Sequence, residues 1–275
     1  MKEWEINYNI RSNSSMKITK KIACILIVCC FALSNMVSIK AEAKKNVKDY
    51  SKKIYNKTRW QTIQKDYLSS ETDRLIFVKY KNGSKATVEM WKKISKKVEI
   101  SSKDNAVDIV TDETVNYSLE KTWKRIMSCN AYVGKNGINK VRQGDCKTPV
   151  GIYNITMAFG RRKSPGTAGI SYTKLNKYHY WSAEKATYNT FIDVRKLGRK
   201  QMSGEHLINY NPWYNYSLAL DYNKKCTYLK GSAIFLHCTG RGRTYTAGCI
   251  AVSEKNMKKI VKNTTKHTKI CIYKK

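Results

Sequence analysis

Negative charge is scarce in this chain: 20 Asp and Glu stand against 53 Lys and Arg over 275 residues, a net charge of +33. Such an excess resists self-association and concentrates anionic partners, whether nucleic acid, anionic lipid or anionic wall polymers. Zinc-finger spacing is missing, and so is the pattern of aromatics in a basic frame that marks an RNA-recognition fold. The lysines run along the whole chain rather than gathering on one stretch. That argues against nucleic acid and for a general polyanion environment. No internal repeat is present, and no Cys-x-x-Cys pair suggests a structural zinc site.

Hydrophobic residues make up 41% of the chain, enough for a packed core, so disorder is excluded. The 19 Tyr and 6 Trp favour β structure over a helical bundle. The length suits one sizeable domain with small additions, or two modest domains.

Residues 1–43 divide into a patternless polar start, a second Met16 opening a basic stretch, the apolar run Ile22 to Leu33, and Ala41-Glu42-Ala43. This is the layout of a secretory signal peptide cut after Ala43, with translation starting at Met16. Extended through Ile39, the same run makes an uncleaved membrane anchor. The positive excess survives removal of the segment. Cys24, Cys29 and Cys30 leave with it, and Cys129, Cys146, Cys226, Cys238, Cys249 and Cys271 remain. Their spacing shows no disulfide framework, and a domain this large needs none. Residues 44–71 read as a basic linker.

Leu75 to Tyr80, then Asn82-Gly83, then Ala86 to Trp91 predict a hairpin with a tight Asn-Gly turn. Residues 92–118 are charged and weakly patterned, an insertion at the hairpin's exit. Alternation predicts further strands at Tyr153–Phe159, Phe191–Val194, Tyr216–Tyr222 and Thr268–Tyr273. The sum is a mainly β sandwich or open barrel with one or two helices late in the chain.

The stretch from Gly231 to Ser253 carries the chemistry. Ser232, Ile234 and Leu236 alternate with Ala233, Phe235 and His237, so a strand delivers His237 on the face of Phe235. A loop follows with Gly240, Arg241, Gly242, Arg243 and Tyr245, and it closes through Thr246 on Gly248-Cys249. Ser253 is an N-cap candidate for a helix with Met257, Ile260 and Val261 on one face. A histidine at a strand end and a cysteine twelve positions later, across a loop that folds back, supply a thiol nucleophile and its base. Two plainer readings stand beside this one: Cys249 as a buried structural thiol, and His237, Cys238 and Cys249 as zinc ligands lacking a fourth.

Gly144-Asp-x-Lys-Thr-Pro-Val-Gly151, Gly231 to His237 and Thr246-x-Gly-Cys-Ile250 together resemble the L,D-transpeptidase catalytic domain of the ErfK/YbiS/YcfS/YnhG type, or YkuD domain. The likeness runs from about residue 72 to the C-terminus. It implies a β-sandwich of mixed sheets and peptidoglycan cross-linking through a cysteine acyl-enzyme. Cys249 maps to the nucleophile and His237 to its proton donor and acceptor. In the family the carbonyl of the residue after the histidine orients the imidazole, here that of Cys238.

Two positions depart from the family: Ala251 replaces a common Arg, and Cys238 a common Gly or Ser. Arg241 or Arg243 supplies the missing cation. Gly248 and its neighbours offer oxyanion donors, and Thr246 fixes the loop. Tyr245, His206 beside Glu205, and Trp181 among Tyr180, Trp213 and Tyr214 are candidate substrate contacts; the aromatics read equally as packing. His179 and His267 compete weakly for the base role.

The expected partners are stem peptides, anionic wall polymers and a carbapenem-type β-lactam that acylates Cys249. No cofactor or metal is implied. The expected place is outside the cytoplasmic membrane. A carboxypeptidase or amidase on the same site, and a non-catalytic basic module that adheres to wall polyanions, are the competing functions.

Overall fold

The computed structural model describes residues 60–99 and 117–274. The expected signal or anchor, residues 1–43, lies outside them. Among the described residues no helix is long and apolar enough to cross a membrane. Among the described residues the chain is mainly β, as the sequence predicts, with two α-helices, one of which lies ahead of the first strand rather than late in the chain.

Strand β1 (Arg74–Asn82) is buried from Arg74 through Lys79, with the apolar run Leu75–Val78 inside that stretch, because both of its faces are covered. Ile76 and Val78 enter the main core, while Leu75 and Phe77 enter a second cluster on the other face. It pairs antiparallel with β2 (Lys85–Glu99) across the Asn82-Gly83 turn, and parallel with β12 (Thr268–Lys274). Strand β12 repeats the pattern: Ile270 and Ile272 join the main core, Cys271 and Tyr273 the second cluster.

Two expectations are corrected here. The segment taken as an insertion after residue 91 begins as strand, since Lys92–Glu99 stays in β2 and pairs with Tyr117–Lys124 at the start of β3 (Tyr117–Tyr132). The cross-strand ladder holds this ribbon together where alternation in the sequence is poor. The rest of the expected insertion lies outside the described residues. The linker expected through residue 71 contains helix α1 (Trp60–Asp66), whose Ile63 packs with Tyr67 on Leu75 and Phe77. Trp60 tilts against Trp91 at 5.2 Å, and the Lys79 ammonium, paired with Glu89 at 2.8 Å, lies 4.6 Å from the Trp60 ring centre. The domain therefore begins before residue 72.

Strand β4 (Gly151–Gly160) pairs with β12 at its start and, past an irregularity between Ile155 and Met157, with β9 (Ser217–Leu220) at its end. A bulge of this kind bends a strand, so that β4 pairs with two partners in turn within one sheet. Strands β10 (Phe235–Cys238) and β11 (Ile250–Val252) complete the order β12-β1-β2-β3-β11-β10-β9-β4, with β5 (Tyr172–Lys174) at the edge. The β12–β4 pairing closes this order on itself, and one core is shared inside it. Helix α2 (Glu254–Asn263) starts at Ser253, whose hydroxyl accepts from the Asn256 N–H, and buries Met257, Ile260 and Val261 in that core.

A small sheet, β7-β6-β8, comes from Phe191–Asp193, His179–Ser182 and Gly204–His206 in that spatial order. It meets the main sheet where Trp181 packs edge-on to Phe235 at 4.7 Å. The third cluster fills the junction with Phe159, Leu175, Leu207 and Tyr214, and Cys249 borders it.

Because Ile63 is fully buried under α1, Ile63→Ala should cost about 2–4 kcal/mol. Urea unfolding should show a lower midpoint with an unchanged slope. An unchanged midpoint would mean that α1 is no part of the folded unit.

Candidate functional site

Strands β10 and β11 run parallel, with Leu236 opposite Ile250 and His237 opposite Ala251. Continued back by one residue, that register sets Cys249 beside Phe235. Side chains in register share a face, so Cys249 and His237 occupy diagonal positions on one face. Cys238, one residue along, points to the other face. Its side chain is buried in the main core and its thiol meets the Tyr216 carbonyl at 3.5 Å. The zinc reading fails on that alternation, because Cys238 turns away from Cys249.

His237 Nδ1 lies 2.8 Å from the Cys238 carbonyl. Only an N–H can face a carbonyl, so Nδ1 carries the proton and Nε2 holds the free lone pair. The Tyr214 ring meets the imidazole edge-on at 5.5 Å. Burial pushes the imidazole down to about 4, so it is neutral at pH 7. The Cys249 thiol donates to the Ala233 carbonyl at 3.1 Å and accepts from the Phe235 N–H at 3.3 Å. Burial, and next the Glu205 carboxyl, push the thiol up to about 12. The resting pair is thus a neutral thiol held by strand backbone and a neutral imidazole.

The turn ahead of Cys249 is built by side chains. Thr246 Oγ1 donates to the Cys249 carbonyl at 2.6 Å and accepts from the Gly248 N–H at 3.1 Å. The Gly248 N–H, expected as an oxyanion donor, is therefore spent inside the turn. Thr148 of the Gly-Asp-x-Lys-Thr-Pro stretch donates to the same carbonyl at 3.2 Å and accepts from the Gly134 N–H at 2.8 Å. Gly248 has a φ of +145°, and a Cβ there would stand 2.9 Å from the Lys147 carbonyl. Only glycine fits both the conformation and the space.

The other expected contacts divide. Arg241 and Arg243 lie over the half-buried Trp213 at 5.0 and 5.5 Å, and Arg243 also faces Tyr245 at 5.5 Å. This exposed basic rim is anchored next to Tyr214 and hence to His237. Trp181 is 6% exposed and holds Asn189 through its indole N–H, so it packs the site from behind.

His206 is tied to the Lys177 carbonyl and to Asn209, and stacks on Tyr180 at 4.3 Å. Its neighbour on β8 faces the other way: Glu205 accepts from the Tyr214 hydroxyl at 2.5 Å. Burial raises that carboxyl to about 7. His179 sits between Asn176 and Asp193, and His267 beside Glu71, both away from Cys249. All six described cysteines are free thiols, and no group of three or more metal-ligating side chains occurs among the described residues.

A family model describing the L,D-transpeptidase catalytic domain (YkuD) matches residues 96–272. The chain belongs to that family, whose members act on peptidoglycan peptides and are typically associated with the cell wall. No curated protein matches the chain.

The Glu205 carboxyl gives this site a pH signature. Between about pH 4.5 and 7 the folded chain keeps a proton there that the unfolded chain has lost. Its contribution therefore favours folding below that window and fades as pH rises through it. Glu205→Gln removes the dependence. Relative to wild type the variant should gain on the order of 2 kcal/mol from pH 4.5 to 7, discounted for partial exposure. Denaturant titrations at both pH values measure it, and a constant difference would contradict the assignment.

Proposed function

We propose that this chain is an exported L,D-transpeptidase that forms 3→3 cross-links through a Cys249 thioester. The observation that carries the reading is the shared face of Cys249 and His237 on paired parallel strands, with Nδ1 fixed and Nε2 left to take a proton. The thiol leaves the Ala233 carbonyl and turns to the imidazole, which accepts its proton. The thiolate attacks the carbonyl carbon between stem residues three and four. As the C–N bond breaks, the imidazolium returns the proton to the departing D-alanine amine. The side-chain amine of a neighbouring stem's third residue then attacks the thioester. Its proton passes by way of His237 to the released thiolate, restoring the thiol.

The Cys249 N–H is the donor assigned to the carbonyl oxygen. Arg241 and Arg243 take the anionic groups of the stem in place of the cation absent at Ala251, and Tyr245 lines the same rim. Two further supports are the family and the excess of positive charge, which suits an anionic wall. Export rests on the leader-like pattern within residues 1–43. Water in place of the second amine would make the same site an L,D-carboxypeptidase.

Purified disaccharide tetrapeptide is the deciding substrate. Cross-linked dimer with free D-alanine is expected, and free tripeptide alone would assign hydrolysis instead. Cys249→Ala should abolish turnover, and His237→Ala should lower it at least about 100-fold with binding kept. Intact mass should show one carbapenem added at Cys249; a biological role left intact in Cys249→Ala and abolished by salt would leave only a basic wall-binding module.

A further inference from the structure

Lys140 lies ahead of the Gly144-Asp145 turn, and its side chain is only 3% exposed. Its ammonium meets Asp145 Oδ1 at 2.7 Å, and the Asp145 side chain is itself only 8% exposed. Asp145 is fixed independently, accepting from the backbone N–H groups of Val141, Arg142 and Lys147 at 2.8–3.1 Å. These donors, together with the lysine, hold its carboxyl well below the usual carboxylate range against the cost of burial.

The lysine stem passes between two glycines. A Cβ on Gly231 would stand 2.7 Å from Lys140 Cε, and one on Gly248 would stand 3.5 Å from Lys140 Nζ. Both glycines have positive φ, +109° and +145°. The chain thus clears a lane that brings an ammonium to the back of the nucleophile's turn. A buried ion pair is rarely a net gain in stability over an apolar pair of the same volume, so its presence here calls for a role.

We infer that Lys140, oriented by Asp145, is a positioning residue whose fixed positive charge favours the thiolate of Cys249. The inference rests on Cys249 being the nucleophile. An ammonium has three N–H donors, and Asp145 takes one through Oδ1. Its charge opposes that of Glu205 on β8, which disfavours the thiolate. The other titratable groups facing the thiol are His237 on β10 and the stacked pair Tyr210 and Tyr214. Among the described residues, Lys140 is thus the cation that bears on the sulfur.

The test is the pH profile of iodoacetamide modification at Cys249, read by peptide mass to separate it from the other thiols. Lys140→Met removes the charge, and Lys140→Gln removes the charge but keeps an N–H for Asp145. Thermal melts check that both are folded. Both should move the profile up by about one pH unit, a roughly ten-fold slower reaction at pH 7. A Lys140→Gln profile that overlays wild type would overturn the role of the charge while leaving the nucleophile in place. Absence of any modification at Cys249 in wild type would instead remove the nucleophile, and this inference with it.

Discussion

Two parallel strands in register, β10 and β11, govern what this molecule does with its chemistry. The ladder puts Leu236 opposite Ile250. From that single offset follow the shared face of His237 and Cys249 and the opposite face of Cys238. A slip of one residue would turn the cysteine into the main core and leave the histidine alone. Much of the surrounding structure defends the offset. Strand β9 holds β10 on its other side, with His237 opposite Ser217. Thr246 and Thr148 grip the Cys249 carbonyl. Ile250 and Val252 are buried in the core that α2 closes.

The resting electrostatics are conservative. The thiol is bound to backbone, the imidazole is neutral, and the Glu205 carboxyl sides with the protonated thiol. In that arrangement the thiol stays protonated as long as it remains bound to the strand. The charges that would tip the balance come from outside the Cys–His pair: a buried ammonium behind the turn, and arginines stacked on Trp213 at the rim.

The sequence carried the first hairpin as far as Trp91, several later strands and the candidate Cys–His pair, because each left a local signal, whereas β3, the longest strand, left none. Alternation marks β4, β9 and β12, the Asn82-Gly83 turn marks the first hairpin, and Ser253 marks the start of α2. Less legible were elements that depend on tertiary partners. Strands β5, β6 and β8 span three or four residues, too few to show a period, and exist because they pair. Helix α1 is one short helix with Ile63 and Tyr67 facing inward, and its lysine-rich flank reads as linker. Glu205 and Lys140 were hidden for another reason. A charged residue in a chain this basic looks like surface, and only the fold reveals that both are enclosed. The neighbour of Glu205 drew attention as a histidine, yet alternation along β8 turns His206 away.

Cys238 divides its duties between its atoms. The carbonyl holds the imidazole and the side chain fills the core beneath α2, so one position serves the candidate site through its main chain and packing through its side chain. Evolution is then free to exchange the side chain for any that fills the same volume, with the hydrogen bond to His237 untouched. Ranking positions by side-chain identity would pass over a residue whose backbone atom orients a neighbouring ring.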